Sequence, residues 1–205
     1  SGASAVLMQR LIAIATAVSR AGTWFGGALV VLAAVIVAVD VVLRAAFSVT
    51  IGGSDELSGY ALAVASAFAF ALALIDRAHV RIDTLYTLLP VRVAAAFDLL
   101  AMAAMVSLAS FLAMQGWRVF ALSWSLGARA LTQLNTPLSV PQALWFAGLA
   151  WFALVSILLM LRALVLLVQG DAQGVRQLLG TKTAAEELAD ERTAQQAIRG
   201  AGGAA

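Results

Sequence analysis

Four stretches of the chain carry no charged side chain and are mostly apolar: Ala21 to Val39, Leu57 to Ile75, Leu99 to Trp117 and Pro141 to Leu161. At 1.5 Å per helical residue, about 20 residues cross a hydrocarbon layer of about 30 Å. The pattern therefore predicts four transmembrane helices, over about residues 22–47, 54–76, 91–117 and 139–163. Ahead of them, Leu7, Leu11, Ile14 and Val18 repeat at helical spacing, with Arg10, Thr16, Ser19 and Arg20 mostly elsewhere. This predicts an amphipathic helix lying at the membrane interface over residues 1–20. The fold class expected is all-α, an integral membrane protein with four spans and an N-terminal interfacial helix.

The connections refine the picture. Gly52-Gly53 mark a short turn after the first span, and Ser54 is a natural N-cap, with Asp55 and Glu56 in the first turn, where carboxylates favour the helix dipole. The next connection is dense in charge (Asp76, Arg77, His79, Arg81, Asp83, Arg92), and Pro90 suits the start of the third span. Residues 118–136 are long for a hairpin loop, but Val119, Phe120, Leu122, Trp124 and Leu126 are apolar enough to lie along the interface. Pro137 and Pro141 bracket the start of the fourth span. The chain turns polar after Arg162; residues 169–205 read as a cytoplasmic tail with a helix over 181–199 and a disordered end.

Composition agrees: 62% of residues are hydrophobic and 12% charged, the latter about half the usual share of a soluble domain. There is no cysteine and one histidine, which excludes a disulfide framework, a thiolate metal site and a bis-histidine haem. The sequence pI near 9.7 does not point to nucleic acid, because the net charge is only +2 and the basic residues lie between apolar spans. The opening Ser1-Gly2-Ala3-Ser4 does not read as a cleavable leader. If both termini are cytoplasmic, ten of the 13 Lys and Arg residues fall inside and only Arg44, Arg118 and Arg129 outside. The positive-inside rule then predicts N-in and C-in, with Trp117, Trp124 and Trp145 in the outer aromatic belt.

Charges inside spans are functional candidates. Asp40 and Arg44 lie four residues apart on one face, so the simplest reading is mutual neutralisation with Arg44 snorkelling to the headgroups. The alternative takes Arg44 to Asp55 or Glu56, or to a partner subunit. Asp98 pairs most simply with Arg92, Arg77 or Arg81; a lone carboxylate makes no proton or ion relay. His79, flanked by Arg77 and Arg81, reads as solvated rather than as a metal ligand. No nucleophile elbow, zinc-protease motif or phosphate-binding glycine loop is present, so no enzyme and no cofactor is expected. Gly22, Gly26 and Gly27 in the first span and Ala63, Ala67 and Ala71 in the second have the small-residue spacing that lets membrane helices approach closely.

The run Ser54-Asp55-Glu56-Leu57-Ser58-Gly59-Tyr60, followed by an apolar span and then Ala78-His79-Val80-Arg81-Ile82-Asp83, resembles the small, DctQ-type membrane subunit of TRAP (tripartite ATP-independent periplasmic) transporters. Arg44 matches the arginine closing that family's first span, and Thr136-Pro137-Leu138-Ser139-Val140-Pro141 resembles the stretch before its fourth. The resemblance covers about residues 20–168. It implies a bacterial inner-membrane subunit that scaffolds a larger membrane subunit, the latter holding solute and coupling sodium. It also implies a periplasmic substrate-binding protein that delivers a small organic acid or similar solute. Arg77, His79, Arg81 and Asp83 would then hold the cytoplasmic corner, against lipid or the large subunit. Arg44, Asp55 and Glu56 would sit at the outer face, near where the binding protein docks. Two alternatives share the topology: the small subunit of another tripartite carrier, and a stand-alone channel or exporter. The latter needs polar residues lining a face at mid-depth, and the mid-span positions are apolar.

Overall fold

The computed structural model describes residues 2–77, 90–132, 134–180 and 195–196. They form five helices, α1 (Gly2–Phe47), α2 (Ser54–Ile75), α3 (Val91–Leu126), α4 (Ser139–Val168) and α5 (Ala172–Leu179). The first four are long and apolar enough to cross a membrane. Among the described residues there is no strand beyond one isolated bridge, Arg129 to Pro137.

The helices stand in a row. α1 packs on α2, α2 on α4, and α4 on α3, while α1 and α3 are not substantially packed on one another. Burial follows that order. The most apolar windows of the outer helices, α1 and α3, are each 17% buried, and those of the inner pair, α2 and α4, 28% and 33%. The result is a slab with two broad apolar faces rather than a closed ring around a chamber. Its core is Ala71 and Leu74 of α2, Ala95, Met102 and Ala109 of α3, and Phe152, Val155 and Leu159 of α4.

The seams have a common rule. On α1, Ile12, Ser19, Gly26, Ala33 and Asp40 face inward, each seven residues from the last. On α3 the buried Ala95, Met102, Ala109, Gly116 and Ser123 repeat at the same spacing. A seven-residue repeat keeps one narrow stripe against a neighbour that winds with a left-handed twist. Most of these side chains are small. In lipid, tails are as apolar as leucine, so close packing rather than hydrophobic exclusion holds helices together. Gly26 sits where α1 crosses α2: a Cβ there would lie 2.6 Å from Ala65 Cα. At the α4 crossing, a Cβ on Gly148 would lie 2.8 Å from Ala67 Cβ.

Three sequence expectations change. The segment expected as a separate interfacial helix is continuous with the first span, because nothing between residues 2 and 47 breaks α1. The stripe of this segment that packs on its neighbours is Ile12, Ala15 and Ser19, while Leu7, Leu11, Ile14 and Val18 are exposed, as a membrane-facing stripe requires. Ser19 is fully buried, and its Oγ accepts the Trp151 indole N–H of α4 at 2.9 Å. The third helix does not give way to a loop after Trp117; α3 runs on to Leu126 and stops at Gly127, which adopts a left-handed conformation. Past residue 168, α5 folds back onto α3 and α4, burying Val175 and Leu179, with the Asp171 carboxylate capping it by accepting from Gly174 N–H at 2.8 Å. The expected helix over 181–199 lies outside the described residues except for 195–196.

The glycines of α1 make a paired test. Gly26→Leu should lower the thermal unfolding midpoint in detergent, with an overpacking cost of about 1–3 kcal/mol. Nothing lies within 4 Å of a Cβ on Gly27, so Gly27→Leu should leave the midpoint close to that of the parent. Equal effects of the two would contradict the crossing geometry.

Candidate functional site

Asp40 organises one end of the slab. It lies almost two turns before the end of α1 and is 1% exposed. A carboxylate has room for about four donors, and Asp40 has four. Its Oδ1 accepts from Thr50 Oγ1 at 2.9 Å and from Ile51 N–H at 2.7 Å. Its Oδ2 accepts from Ser54 Oγ at 3.2 Å and from the Arg44 guanidinium. The loop after α1 is thereby folded back over the helix it leaves. Ser48 (φ 55) reverses the chain, and Gly52 and Gly53 (φ 69 and 82) complete the turn. Gly53 also admits Leu134 from the second loop, since a Cβ there would lie 2.4 Å from Leu134 Cδ1.

These contacts settle the position of Arg44. It pairs with Asp40, not with Asp55 or Glu56, and remains 62% exposed. Ser54 does not cap α2: the cap residue is Gly53, without a side-chain hydrogen bond, and the Ser54 hydroxyl is spent on Asp40. Asp55 is exposed at the start of α2. Glu56 is half-buried and ties the two loops of this end together, accepting from Tyr60 O–H at 2.7 Å and from the Thr132 hydroxyl. The second loop is ordered by its own backbone, with Ala130 N–H donating to Thr136 at 2.9 Å and Leu138 N–H to Ala128 at 3.0 Å. Arg129 closes it by donating to the Asn135 carbonyl at 3.1 Å.

The aromatic residues gather beside this loop. Trp117 lies 5.6 Å from Phe120 and 5.4 Å from Phe146 of α4, and Phe120 lies 6.0 Å from Trp124. Trp117 and Trp124 are exposed, and Trp145 is half-buried beside Gly116. All three tryptophans thus occupy the same end as Arg44, Asp55 and Glu56.

At the opposite end, Arg77 closes α2 in a left-handed conformation (φ 56). It shares a small cleft with Leu74, Met102, Leu159 and the end of α5 at Leu178–Gly180. Asp98 is fully buried one turn before Met102, and its carboxylate faces Gly180. His79, Arg81 and Asp83 lie outside the described residues. Among the described residues no three His, Asp or Glu side chains converge as a metal site would require.

Sequence reasoning singled out Asp40 but not its partners Thr50 and Ser54, and it missed Thr132 and α5. Thr132 is 76 residues from Glu56, and no local signal links them. A buried acid eleven residues before a backbone amide offers as little.

The geometry is that of a four-span helical membrane protein with its acidic side chains and most of its side-chain contacts toward the two ends, and the Ser19–Trp151 bond between them. The profile of the family described as tripartite ATP-independent periplasmic transporters, DctQ component, matches residues 33–166. The chain belongs to that family, as a multi-pass inner-membrane component of a TRAP transporter and not a member of an enzyme family. No curated protein and no solved structure gives a significant match.

Asp40→Ala would strip the acceptor from four donors, which are costly to leave unmet. A single cysteine placed at Val49 should then react with a water-soluble maleimide faster than in the parent. Asp40→Asn, which keeps one acceptor oxygen, should fall between them. Identical labelling in all three proteins would show that the loop does not depend on this carboxylate.

Proposed function

We propose that this chain is the scaffolding small permease subunit of a sodium-coupled, binding-protein-dependent importer of a small organic acid or similar solute. The observation that carries the reading is the slab itself. Its described interior holds no polar chamber at mid-depth, and its two faces are broad and apolar. A protein of that shape serves transport by bracing a partner rather than by conducting solute. Family membership supplies the partner types: a large membrane subunit, where solute and sodium bind, and a periplasmic binding protein.

On this reading the end carrying Asp40, Arg44, Asp55, Glu56 and Trp117, Trp124 and Trp145 is periplasmic. The end carrying Arg77, His79, Arg81 and Asp83 is cytoplasmic, so the orientation is N-in and C-in. The excess of basic residues on that side supports this. Arg44, held by Asp40 with much of its guanidinium exposed, is a fixed positive group on the periplasmic surface, suited to an acidic patch on the binding protein. Arg81 and Asp83 are the residues proposed to hold the large subunit or lipid at the cytoplasmic corner.

Three outcomes follow. Alkaline phosphatase fused after Ala205 should be inactive and green fluorescent protein fused there fluorescent; the reverse pattern would invert the orientation. Replacing Arg81 and Asp83 together with Ala should weaken co-purification with the large subunit, and unchanged complex yield and uptake would count against that contact. In liposomes, uptake should require all three components and a sodium gradient. Solute flux through this chain alone would overturn the reading.

A further inference from the structure

A long apolar groove of about 740 Å³ runs along the outer side of α1, with Leu72 of α2 on its flank. It belongs to neither of the polar ends described above. Its floor is opened by Gly27, where a Cβ would meet nothing within 4 Å, and its walls include Trp24, Val31 and Val35. One end alone is charged: Arg20, beside Thr23. Among the described residues Arg20 has no ion pair or hydrogen bond. Leu72 lies one turn before the end of α2 at Ile75, so Arg20 stands near the last turn of α2, just before the charged Asp76-Arg77. Arg and Trp one turn apart are the side chains that meet headgroups at a membrane boundary. From Arg20 to Val35 the helix rises about 22 Å, more than the roughly 15 Å of one hydrocarbon leaflet.

We propose that this groove is a binding site for one anionic phospholipid, its phosphate on Arg20 and an acyl chain laid over Gly27 toward Val35. Charge and shape both specify the ligand. The only cation lies at the boundary end, and the rest of the groove offers apolar surface of chain length. A soluble anion has no use for the apolar part, and a zwitterionic phospholipid brings its own cation to a site where Arg20 is already positive and unpaired among the described residues.

The test uses the full chain in phosphatidylcholine vesicles containing a small fraction of phosphatidylglycerol with a photoactivatable acyl chain, the adducts being mapped by mass spectrometry. Adducts should concentrate between Trp24 and Val35. Unlabelled phosphatidylglycerol should compete, and added inorganic phosphate should not. R20Q should lower labelling by about fivefold, the effect of one basic group near an anionic surface, whereas R20K should retain most of it. G27L should lower labelling with the charge intact. Both positions are exposed, and circular dichroism should show unchanged helix content in each variant. Adducts spread evenly around α1, labelling by R20Q and G27L equal to the parent, or competition by phosphate alone would overturn the proposal. So would crosslinking of this face to the large subunit, in place of lipid, in the assembled transporter.

Discussion

The structure depends on how closely its helices can approach in a solvent as apolar as they are. Lipid gives leucine-rich surfaces no reason to leave it, so association must come from contact area and hydrogen bonds. Gly26 against Ala65 and Gly148 against Ala67 bring backbones together at the two crossings that join α1, α2 and α4. The seven-residue repeats of small side chains on α1 and α3 extend those crossings into seams. Large residues such as Trp24 and Phe47 point the other way, at 76% and 70% exposure. The protein is thus inverted relative to a soluble bundle, with small and weakly polar groups inside and bulky apolar ones outside.

Polar contacts do a different task. They are concentrated where the chain reverses, and they determine the shape of the ends. Asp40 converts a six-residue excursion into a fixed turn by accepting from Thr50, Ile51 and Ser54. Glu56 then joins that turn to the second loop through Thr132. At the opposite end α5 closes over α3 and α4, next to Asp98 and Arg77. Ser19 with Trp151 is the main polar contact between α1 and α4, and it replaces what would be an unmet indole N–H. Buried polar groups that are satisfied in this way specify one arrangement among the many that apolar helices could adopt.

A row of helices leaves two faces open, and that is the link from fold to role. A ring of four helices would satisfy most of its own surface. In the row, α1 and α3 are edges, and only the inner helices have neighbours on both sides. Membership of the DctQ component family places such a slab in a multi-part transporter. The open faces are surfaces for lipid or for protein of membrane-like polarity. Charged side chains stand at both ends, with Arg44 held by Asp40 and much of it exposed.

The hydropathy pattern by itself determined that four helices cross a membrane and where the second, third and fourth begin. Those properties follow from length and charge, which are local and additive along the chain. The family was legible in Asp55-Glu56 and the His79 to Asp83 stretch, because those residues stand at set distances from the spans. The face of α1 that packs was not legible. Leu7, Leu11, Ile14 and Val18 stand out as an apolar stripe and stay exposed, but nothing in the sequence marked Ile12, Ala15 and Ser19 beside them as the residues that pack. Nor could the sequence decide which end of Asp40's neighbourhood Ser54 served, since a hydroxyl can cap its own helix or donate to a distant acid with similar ease. Only the tertiary structure decided the order of helices in the row, the tie of Glu56 to Thr132 and the docking of α5. These are long-range pairings among nearly interchangeable apolar surfaces, and a few ångströms of clearance at glycine and alanine select one of them.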